Sequence, residues 1–337
     1  MHEENIHRTK TPPAWAARGK VGGGGGITAT GLGKRYGDLW ALRELDVHVP
    51  AGTVLGLLGH NGAGKTTAVR ILSTLTRPTS GSARVAGYDV VAQSRLVRSR
   101  IGLAAQAATV DGLLSARANL ELVGRLYHLP RPAARRRAGE LLERLGLADA
   151  ADRLVKTFSG GMRRRLDLAA TLVAAPPVLF LDEPTTGLDP HSRNELWDLL
   201  REHVRAGATL LLTTQYLEEA DRMADDIVVL DHGRVAASGS PAQLKARIGG
   251  DRLDVTLAVP EALEPAAAAL AGFADGAAAF DHEGAVLSVP VRVGTSFLEV
   301  ARALDAAGVA ATDVHRREPT LDDVFLTLTN KRQEMAA

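Results

Sequence analysis

The first chemistry-bearing feature of the chain is a glycine-rich run that ends in lysine and threonine. From Gly59 to Thr66 it spells Gly-His-Asn-Gly-Ala-Gly-Lys-Thr, which matches the P-loop pattern G-x-x-x-x-G-K-[ST]. Backbone N–H groups of such a loop surround phosphates, Lys65 reaches the β- and γ-phosphates, and the Thr66 hydroxyl coordinates Mg²⁺. The pattern predicts a nucleoside triphosphate with Mg²⁺ as the ligand. The residues expected to bind it are Gly59, Asn61, Gly62, Ala63, Gly64, Lys65, Thr66 and Thr67.

A pair of carboxylates follows an apolar run later in the chain. Val178–Leu181 has the pattern of a buried strand, and Asp182 and Glu183 stand at its carboxyl end, where open α/β sheets bind ligands. Asp182 is expected to contact Mg²⁺ through water, and Glu183 to polarise the water that attacks the γ-phosphate. The alternative is that both carboxylates only cap a strand-to-turn junction.

A second phosphate-binding element is predicted at Ser159, Gly160 and Gly161, which open a helix that continues to Leu172. A helix N-terminus of this composition is suited to an anion. Two phosphate-binding elements beside a single P-loop predict a head-to-tail dimer of two copies. In that dimer the serine-glycine element of each copy closes over the ATP held by its partner.

The elements around these motifs indicate how they are positioned. A short buried strand is predicted at Thr53–Leu58 and a helix at Thr67–Leu72, one on each side of the glycines. Strand-like and helix-like segments alternate over residues 27–248, which predicts an α/β domain with a largely parallel sheet. Between Gly112 and Phe158 helical patterns replace the strands, so an all-helical insertion is expected over about 112–172.

The remaining segments predict an accessory domain and two tails. Residues 249–330 carry strand and helix patterns in the order β-α-β-β-α-β, which predicts a small α+β domain of the ferredoxin-like type. Its end, Pro319–Leu328, has the pattern of a helix. Residues 1–26 are polar and then glycine-only, which is typical of a flexible tail, and 331–337 form a second tail.

Composition limits the classes of partner. The 337 residues include 40 Lys and Arg against 39 Asp and Glu, a net charge of +1, so no nucleic-acid partner is expected. The chain has no cysteine, which excludes disulfides and thiolate metal sites. No run approaches 18 apolar residues and no signal peptide begins the chain, so the protein is expected to be soluble and intracellular. A membrane process would need another chain to span the bilayer.

Taken together, these motifs resemble those of an ATP-binding cassette (ABC) transporter. Residues 27–248 are similar to its nucleotide-binding subunit, and every marker occurs in the order of that family. Within the family, three stretches resemble the daunorubicin-resistance type of drug-export ATPase, which pairs with a separate permease. They are Phe-Ser-Gly-Gly-Met-Arg-Arg-Arg-Leu-Asp-Leu from Phe158, Thr-Thr-Gln-Tyr-Leu-Glu-Glu-Ala-Asp from Thr213, and Pro-Thr-Leu-Asp-Asp-Val-Phe-Leu from Pro319.

The resemblance implies an ATPase and assigns further residues. Tyr36 corresponds to the aromatic that stacks on adenine, and Gln106 to the glutamine that joins the Mg²⁺ and γ-phosphate site to the helical insertion. Asp189 belongs to the loop that crosses the dimer interface. The implied partners are a second copy and an integral membrane permease. That permease would hold the protein at the cytoplasmic face of the cell membrane, for efflux of a drug or other hydrophobic or lipid-like compound.

Two positions depart from the family pattern. Gln215 replaces the switch histidine that contacts the γ-phosphate, and its amide donates a hydrogen bond but carries no charge. The expected catalytic residues are therefore Glu183, Gln215 and Lys65. Met162 replaces the signature glutamine and lacks one polar contact. The three arginines after Met162 fall on different faces of the helix, so at most one is expected near ATP or the permease.

Other functional classes fit these motifs less well. A non-transport ABC ATPase that acts on a soluble macromolecular machine is the main alternative. Translation-factor types carry two cassettes, whereas this chain has one, and chromosome-repair types insert a long coiled coil before the signature. A P-loop GTPase or kinase is the third class, and the guanine-reading Asn-Lys-x-Asp motif is absent, because Asn330-Lys331 continues as Arg332-Gln333.

Overall fold

The structure is a computed structural model that describes residues 26–105, 109–248, 250–276, 278–292, 294–325 and 327. The chain divides into two compact units, one up to Gly239 and one from Ser240. Residues 1–25, Gln106, the last residue of the expected terminal helix and the second tail lie outside the described residues.

The first unit contains two sheets and their surrounding helices. Its strands are β1 (Ile27–Tyr36), β2 (Leu39–Val49), β3 (Val54–Leu58), β4 (Ser80–Val85), β5 (Tyr88–Asp89), β6 (Ile101–Ala104), β7 (Val178–Asp182), β8 (Thr209–Thr214), β9 (Asp226–Asp231) and β10 (Arg234–Gly239). Its helices are α1 (Lys65–Leu72), α2 (Ser94–Arg98), α3 (Ala116–Leu126), α4 (Arg131–Arg144), α5 (Gly160–Leu172), α6 (Pro190–Arg205) and α7 (Leu217–Met223).

The central six-stranded sheet has the order β10-β9-β3-β8-β7-β6. All of its neighbours are parallel except β9 and β10, which form an antiparallel hairpin. Strands β3, β8 and β7 are adjacent, with Leu58 opposite Thr214 and Asp182 opposite Thr213. The carboxyl ends of three neighbouring parallel strands therefore meet at one edge of the sheet, as ligand binding in α/β folds requires.

The N-terminal strands depart from the predicted alternation of strands and helices. Strands β1, β2, β4 and β5 form a separate antiparallel sheet in the order β2-β1-β4-β5. The turn between β1 and β2 contains Gly37 at φ +57°, a left-handed conformation that glycine adopts without strain. A hairpin this tight leaves no length for a crossover helix, so the two strands pair with each other in antiparallel fashion.

Both faces of the central sheet are covered. Along β7, Val178 and Phe180 belong to a cluster with the antiparallel sheet, whereas Leu179 and Leu181 belong to a cluster with the helices. Neighbouring strand residues point to opposite faces, and each of these four is fully buried. Such two-sided burial explains why the strand is a continuous apolar run rather than an alternating one.

The segment predicted as a helical insertion contains α3 and α4, followed by two 3₁₀ turns before α5. The helix predicted at Ala116–Leu129 ends at Leu126, three residues early. His128 adopts φ +64°, outside the helical region, and Pro130 follows two residues later and has no backbone N–H to continue the helix.

The second unit has its own hydrophobic cluster and a four-stranded antiparallel sheet in the order β12-β13-β11-β14. Its elements occur in the predicted order β-α-β-β-α-β, after a short helix that begins the unit. They are α8 (Pro241–Ala246), β11 (Arg252–Leu257), α9 (Leu263–Leu270), β12 (Ala279–Asp281), β13 (Val286–Pro290), α10 (Phe297–Ala306) and β14 (Ala311–Arg317).

Within this unit a buried ion-pair network fastens the segment after β14 to the sheet. Asp323 accepts from Arg317 Nη1 at 2.6 Å, and Arg252 Nε lies 3.2 Å from the same carboxylate. Asp323 and Arg252 are 5% and 4% exposed. Residues 321–325 are helical, as the sequence predicts for this segment. No helix among the described residues is both long and apolar enough to cross a membrane.

Candidate nucleotide-binding site

The P-loop connects β3 to α1 in the predicted strand-loop-helix order. Gly64 precedes the helix at φ +106°, and a Cβ there would lie 2.6 Å from the carbonyl oxygen of Ala41. Only glycine fits this position without moving the backbone. The turn that follows β9 supports the loop from outside, since the N–H of Gly233 donates to the carbonyl of Ala63 at 3.0 Å.

Lys65 lies at the start of α1 and is 5% exposed. Its Nζ donates to the carbonyl oxygens of Gly59 at 2.6 Å and His60 at 3.2 Å, so the ammonium closes the loop on itself. Burial lowers the pKa of Lys65, and the carboxylates of Glu183 and Asp182 act in the opposite direction. The side chain is therefore a desolvated cation, held where phosphate would enter the loop.

The residues expected to hold Mg²⁺ lie together. The Thr66 hydroxyl donates to Asp182 Oδ2 at 3.0 Å, across 116 positions of sequence. The other carboxylate oxygen accepts a short hydrogen bond from the hydroxyl of Thr213 on the neighbouring strand β8. Hydroxyl and carboxylate oxygens are the donors that Mg²⁺ prefers. This donor set fits a magnesium ion bound together with a nucleotide.

Thr213 was missed by sequence reasoning, although it helps to hold both acidic residues. Besides its bond to Asp182, it accepts the N–H of Glu183 at 3.1 Å through its carbonyl and at 3.1 Å through its hydroxyl. The signal was the end of β8, where the apolar run Leu210–Leu212 gives way to two threonines. A strand whose sequence becomes polar only at its carboxyl end indicates polar side chains at the ligand-binding edge of the sheet.

Glu183 has an unusual backbone, with φ +50°. The left-handed region costs a non-glycine residue on the order of 1–3 kcal/mol and persists only where neighbours hold it. Such strain is concentrated at functional sites. The observation therefore supports a role for Glu183 beyond capping the end of the strand.

A cavity of about 610 Å³ brings most of the expected site together. Gln215 enters it from the segment after β8, and Glu183 from the segment after β7. Tyr36, at the end of β1, is not among the residues that line it. The lining residues are Leu39, Ala41, Asn61, Gly62, Ala63, Gly64, Lys65, Thr66, Thr67, Glu183 and Gln215.

A buried carboxylate links two segments of the site. Glu219 is 4% exposed and accepts the hydroxyls of Thr214 at 2.8 Å and Thr185 at 2.5 Å. The first threonine precedes Gln215, and the second follows the acidic pair by two residues. Glu219 therefore fixes the backbone before Gln215 relative to the loop that follows Glu183.

A second cavity, of about 600 Å³, lies at the start of α5. The Ser159 hydroxyl caps this helix by accepting the N–H of Met162 at 3.2 Å, and Gly160 and Gly161 line the cavity. Thr186 and Gly187 form another part of its wall. Glu183 lines both cavities, the one that contains the P-loop residues and the one that contains the signature glycines.

Asp189 takes a local structural role in the single chain. As the cap of α6 it accepts the N–H of Ser192 at 3.0 Å and the Ser192 hydroxyl at 2.7 Å. The backbone bond from Ser192 and then its hydroxyl lower the pKa of this carboxyl to about 2. Asp189 is exposed and ionised at neutral pH, so it remains accessible to a partner.

The three arginines after Met162 contact three different places, as the helical spacing predicts. Arg163 donates to the carbonyl of Lys156 at 3.0 Å and Arg165 to that of Leu145 at 3.0 Å, both within the helical insertion. Arg164 instead turns toward the acidic pair and donates to the carbonyl of Glu183 at 2.8 Å. Burial lowers the pKa of this guanidinium, and nearby carboxylates oppose that effect.

The region that contains the P-loop, the signature and the acidic pair is similar to known proteins. The family model described as ABC transporter matches residues 42–186. The chain is 54% identical over 310 residues to the daunorubicin resistance ATP-binding protein DrrA2 of Streptomyces coeruleorubidus, covering 91% of this chain and 96% of that protein. The chain belongs to the ABC transporter family. Within it, the resemblance to daunorubicin-resistance ATP-binding proteins is confirmed.

Solved structures of ABC proteins share the fold of the cassette. The dimeric bacterial ABC transporter cassette MJ0796 matches with a TM-score of 0.60 and 26% identity, covering 64% of this chain and 98% of that one. The protein cbiO1 from Clostridium perfringens, part of the ABC transporter complex cbiONQ, matches with a TM-score of 0.59 and 28% identity, covering 65% of this chain and 90% of that one. The predicted P-loop α/β fold is confirmed, and this ABC protein is an ATPase.

Proposed function

We propose that this ABC ATPase energises a separate membrane permease for efflux of a drug or other hydrophobic, lipid-like compound. The observation that carries the proposal is the 610 Å³ cavity in which P-loop, Glu183 and Gln215 meet. The family resemblance adds the direction of transport, since the curated relative is named for daunorubicin resistance. The class of transported compound is inferred from this similarity alone, because the permease would hold the cavity that binds the compound.

The described side chains support a specific division of roles. Lys65 and the loop N–H groups would bind the β- and γ-phosphates, and Thr66 with Asp182 would hold Mg²⁺, which neutralises phosphate charge when bound. Glu183 would accept the proton of the attacking water. Gln215 would donate its amide hydrogen to the γ-phosphate. Tyr36 remains the proposed adenine contact, and Gln106, outside the described residues, remains the proposed link to Mg²⁺ and the helical insertion.

Two copies would complete two sites in a head-to-tail dimer. In support, Gly160 and Gly161 line a cavity that Glu183 also lines, and Ser159 caps the helix that begins there. Asp189 follows the cavity-lining loop by two residues and is exposed. The described part of a single chain thus offers a phosphate loop and, at the start of α5, a helix N-terminus suited to an anion. A related cassette, MJ0796, has a dimeric structure.

The permease would hold the protein at the cytoplasmic face of the cell membrane. The described helices offer no span of their own, and the similar protein cbiO1 is part of a multi-subunit transporter complex. We expect Glu183→Gln, tagged and expressed in the native host, to co-purify from membranes in ATP with a polytopic membrane protein in stoichiometric amount. Wild-type protein without nucleotide serves as the comparison.

The same experiment decides between transport and the alternative function. Recovery with ribosomal or nucleic-acid partners, with none of the protein in membranes, would contradict transport. It would favour an ABC ATPase that acts on a soluble macromolecular machine.

Gln215 provides a test of the departure from the family pattern. If the switch residue acts by position and hydrogen bonding, Gln215→Ala should lower ATP turnover by roughly 10-fold or more relative to Gln215→His, since one hydrogen bond to a charged group contributes about 1.5–3 kcal/mol. Steady-state phosphate release at saturating ATP measures the difference. Equal turnover of the two variants would contradict a positional role for Gln215.

A further inference from the structure

Arg164 makes several hydrogen bonds to the backbone at the carboxyl end of β7, although no motif assigns it a role there. Its Nη2 donates to the carbonyl oxygens of Asp182 at 3.0 Å and Glu183 at 2.8 Å. Its Nε donates to the carbonyl of Pro184 at 3.1 Å. One planar guanidinium therefore binds three successive backbone carbonyls that lead away from β7. Only 11% of this side chain is exposed, at the wall of the second cavity.

These contacts act on the strained residue of the site. The N–H of Glu183 is held by Thr213, and its carbonyl is held by Arg164. The peptide groups on both sides of the left-handed φ angle are thus fixed by separate elements. Because the direction of a side chain follows from its backbone, loss of either support allows the Glu183 carboxylate to leave its position between the two cavities.

The remaining donor of Arg164 reaches another part of the site. Its Nη1 donates to the carbonyl of Ala105 at 2.6 Å. One turn along α5, Asp167 accepts the N–H and the hydroxyl of Thr109, each at 2.7 Å. Residues on both sides of 106–108 are therefore bound to the same helix through two neighbouring side chains.

Asp167 also forms a buried ion pair with Arg164. It is 1% exposed, and its Oδ2 lacks a hydrogen-bond partner among the described residues and lies 3.9 Å from Arg164 Nη1. A buried carboxylate oxygen without a donor is costly unless a charge lies near it. The guanidinium supplies that charge, so Arg164 and Asp167 form one buried unit on α5.

The helix that carries this unit begins at the signature. Arg164 lies five residues after Ser159, about 7.5 Å along a helix axis. A helix is rigid over so short a distance, so a shift of its first turn moves the guanidinium as well. Any anion bound at Ser159, Gly160 and Gly161 is thereby connected to the backbone of Glu183.

We propose that Arg164 is a positioning residue that couples the two ATP sites of the dimer. Through Arg164, the position of α5, set by the partner's ATP at the signature, determines whether Glu183 of this chain is correctly oriented. This inference rests on the proposed dimer and on Glu183 as the general base. It predicts that each site hydrolyses ATP efficiently only when the opposite site is filled, which gives a Hill coefficient above 1.

The test compares three variants of the full chain with the wild type. Arg164→Met keeps an unbranched chain but donates no hydrogen bond, and Arg164→Lys keeps a charge that reaches fewer carbonyls. Arg165→Met is the matched control, since Arg165 is adjacent on the same helix, does not line either cavity and donates to the carbonyl of Leu145. Turnover, KM, the Hill coefficient for ATP, the Kd of a non-hydrolysable ATP analogue and the Tm are measured for each.

For Arg164→Met we expect turnover to fall about 100-fold, the size of effect that a misplacement of about 1 Å produces. The Hill coefficient should fall to 1, while the analogue Kd stays within about twofold of the wild type, because no phosphate-binding group is removed. Arg164→Lys should be intermediate, and Arg165→Met should match the wild type. A merely structural arginine would lower Tm and analogue binding together instead.

Three results would overturn the inference. They are a wild-type Hill coefficient of 1, an Arg164→Met variant with wild-type turnover and Hill coefficient, and an Arg165→Met variant as defective as Arg164→Met. If Arg164→Met fails to fold, Arg164→Lys carries the test, and wild-type turnover with an unchanged Hill coefficient overturns the inference. Turnover that survives Glu183→Gln would instead contradict the assignment of Glu183 as the general base, independently of Arg164.

Discussion

Replacement of Glu183 by glutamine should abolish most ATP hydrolysis and leave ATP binding intact. A general base contributes on the order of 10²–10⁴ in rate, so a fall of at least about 10²-fold is expected. Glutamine has nearly the size of glutamate and still fits between the two cavities, but its amide accepts no proton from water. The Glu183 N–H donates to Thr213 and the Glu183 carbonyl accepts from Arg164; neither hydrogen bond involves this side chain, and both should persist.

Two measurements on Glu183→Gln separate the base from the binding site. Turnover is followed by phosphate release, and ATP-dependent dimerisation by size-exclusion chromatography with light scattering. The variant should remain a dimer in Mg²⁺ and ATP, because the closed dimer reopens only after ATP is hydrolysed. Glu218→Gln removes an exposed carboxylate from α7 and serves as the control. Full turnover in Glu183→Gln would contradict the assigned base.

The second large effect is expected at Lys65, where Lys65→Met should weaken ATP binding by about 100-fold. Hydrogen bonds to charged groups contribute about 1.5–3 kcal/mol each, and this ammonium is buried within the phosphate loop. Methionine retains the apolar stem but leaves the carbonyls of Gly59 and His60 without their donor. The negative charges of Asp182 and Glu183 would then face phosphate without a compensating cation.

Binding of a fluorescent ATP analogue, measured by titration with Mg²⁺ present, gives the Kd directly. Lys156→Met removes an exposed lysine from the helical insertion and should bind like the wild type. An unchanged Kd in Lys65→Met would mean that the loop N–H groups alone bind the phosphates. Measuring Tm without nucleotide shows whether any loss comes from unfolding.

Local patterns in the sequence predicted the elements that bear the site. The strand before the glycines, the helix after Ser159 and the acidic pair after an apolar run are each encoded within about ten residues. They depend on neighbouring positions alone, through helix capping, strand burial and glycine conformations. The prediction of where α3 ends was less accurate, because the left-handed turn at His128 gives no clear signal in the sequence.

Contacts between residues that are far apart in the sequence had no such local signal. Arg164 was one of three adjacent arginines, and nothing in their spacing indicated which would face the acidic pair. Its acceptors lie up to 59 positions away. Thr213 begins one of the stretches that carry the family resemblance, but no role was assigned to it, and its role depends on β8 pairing between β3 and β7. The antiparallel N-terminal sheet depended likewise on which strands become neighbours.

The sequence by itself therefore determined the ligand class, the family and the local elements, because the P-loop, signature and acidic motifs are contiguous. The tertiary structure alone decided which side chains support them. It placed Glu183 between two cavities, held by Thr213 from one strand and Arg164 from one helix. The physical reason is that buried hydrogen bonds require packing of distant segments, and that packing is a property of the whole sheet.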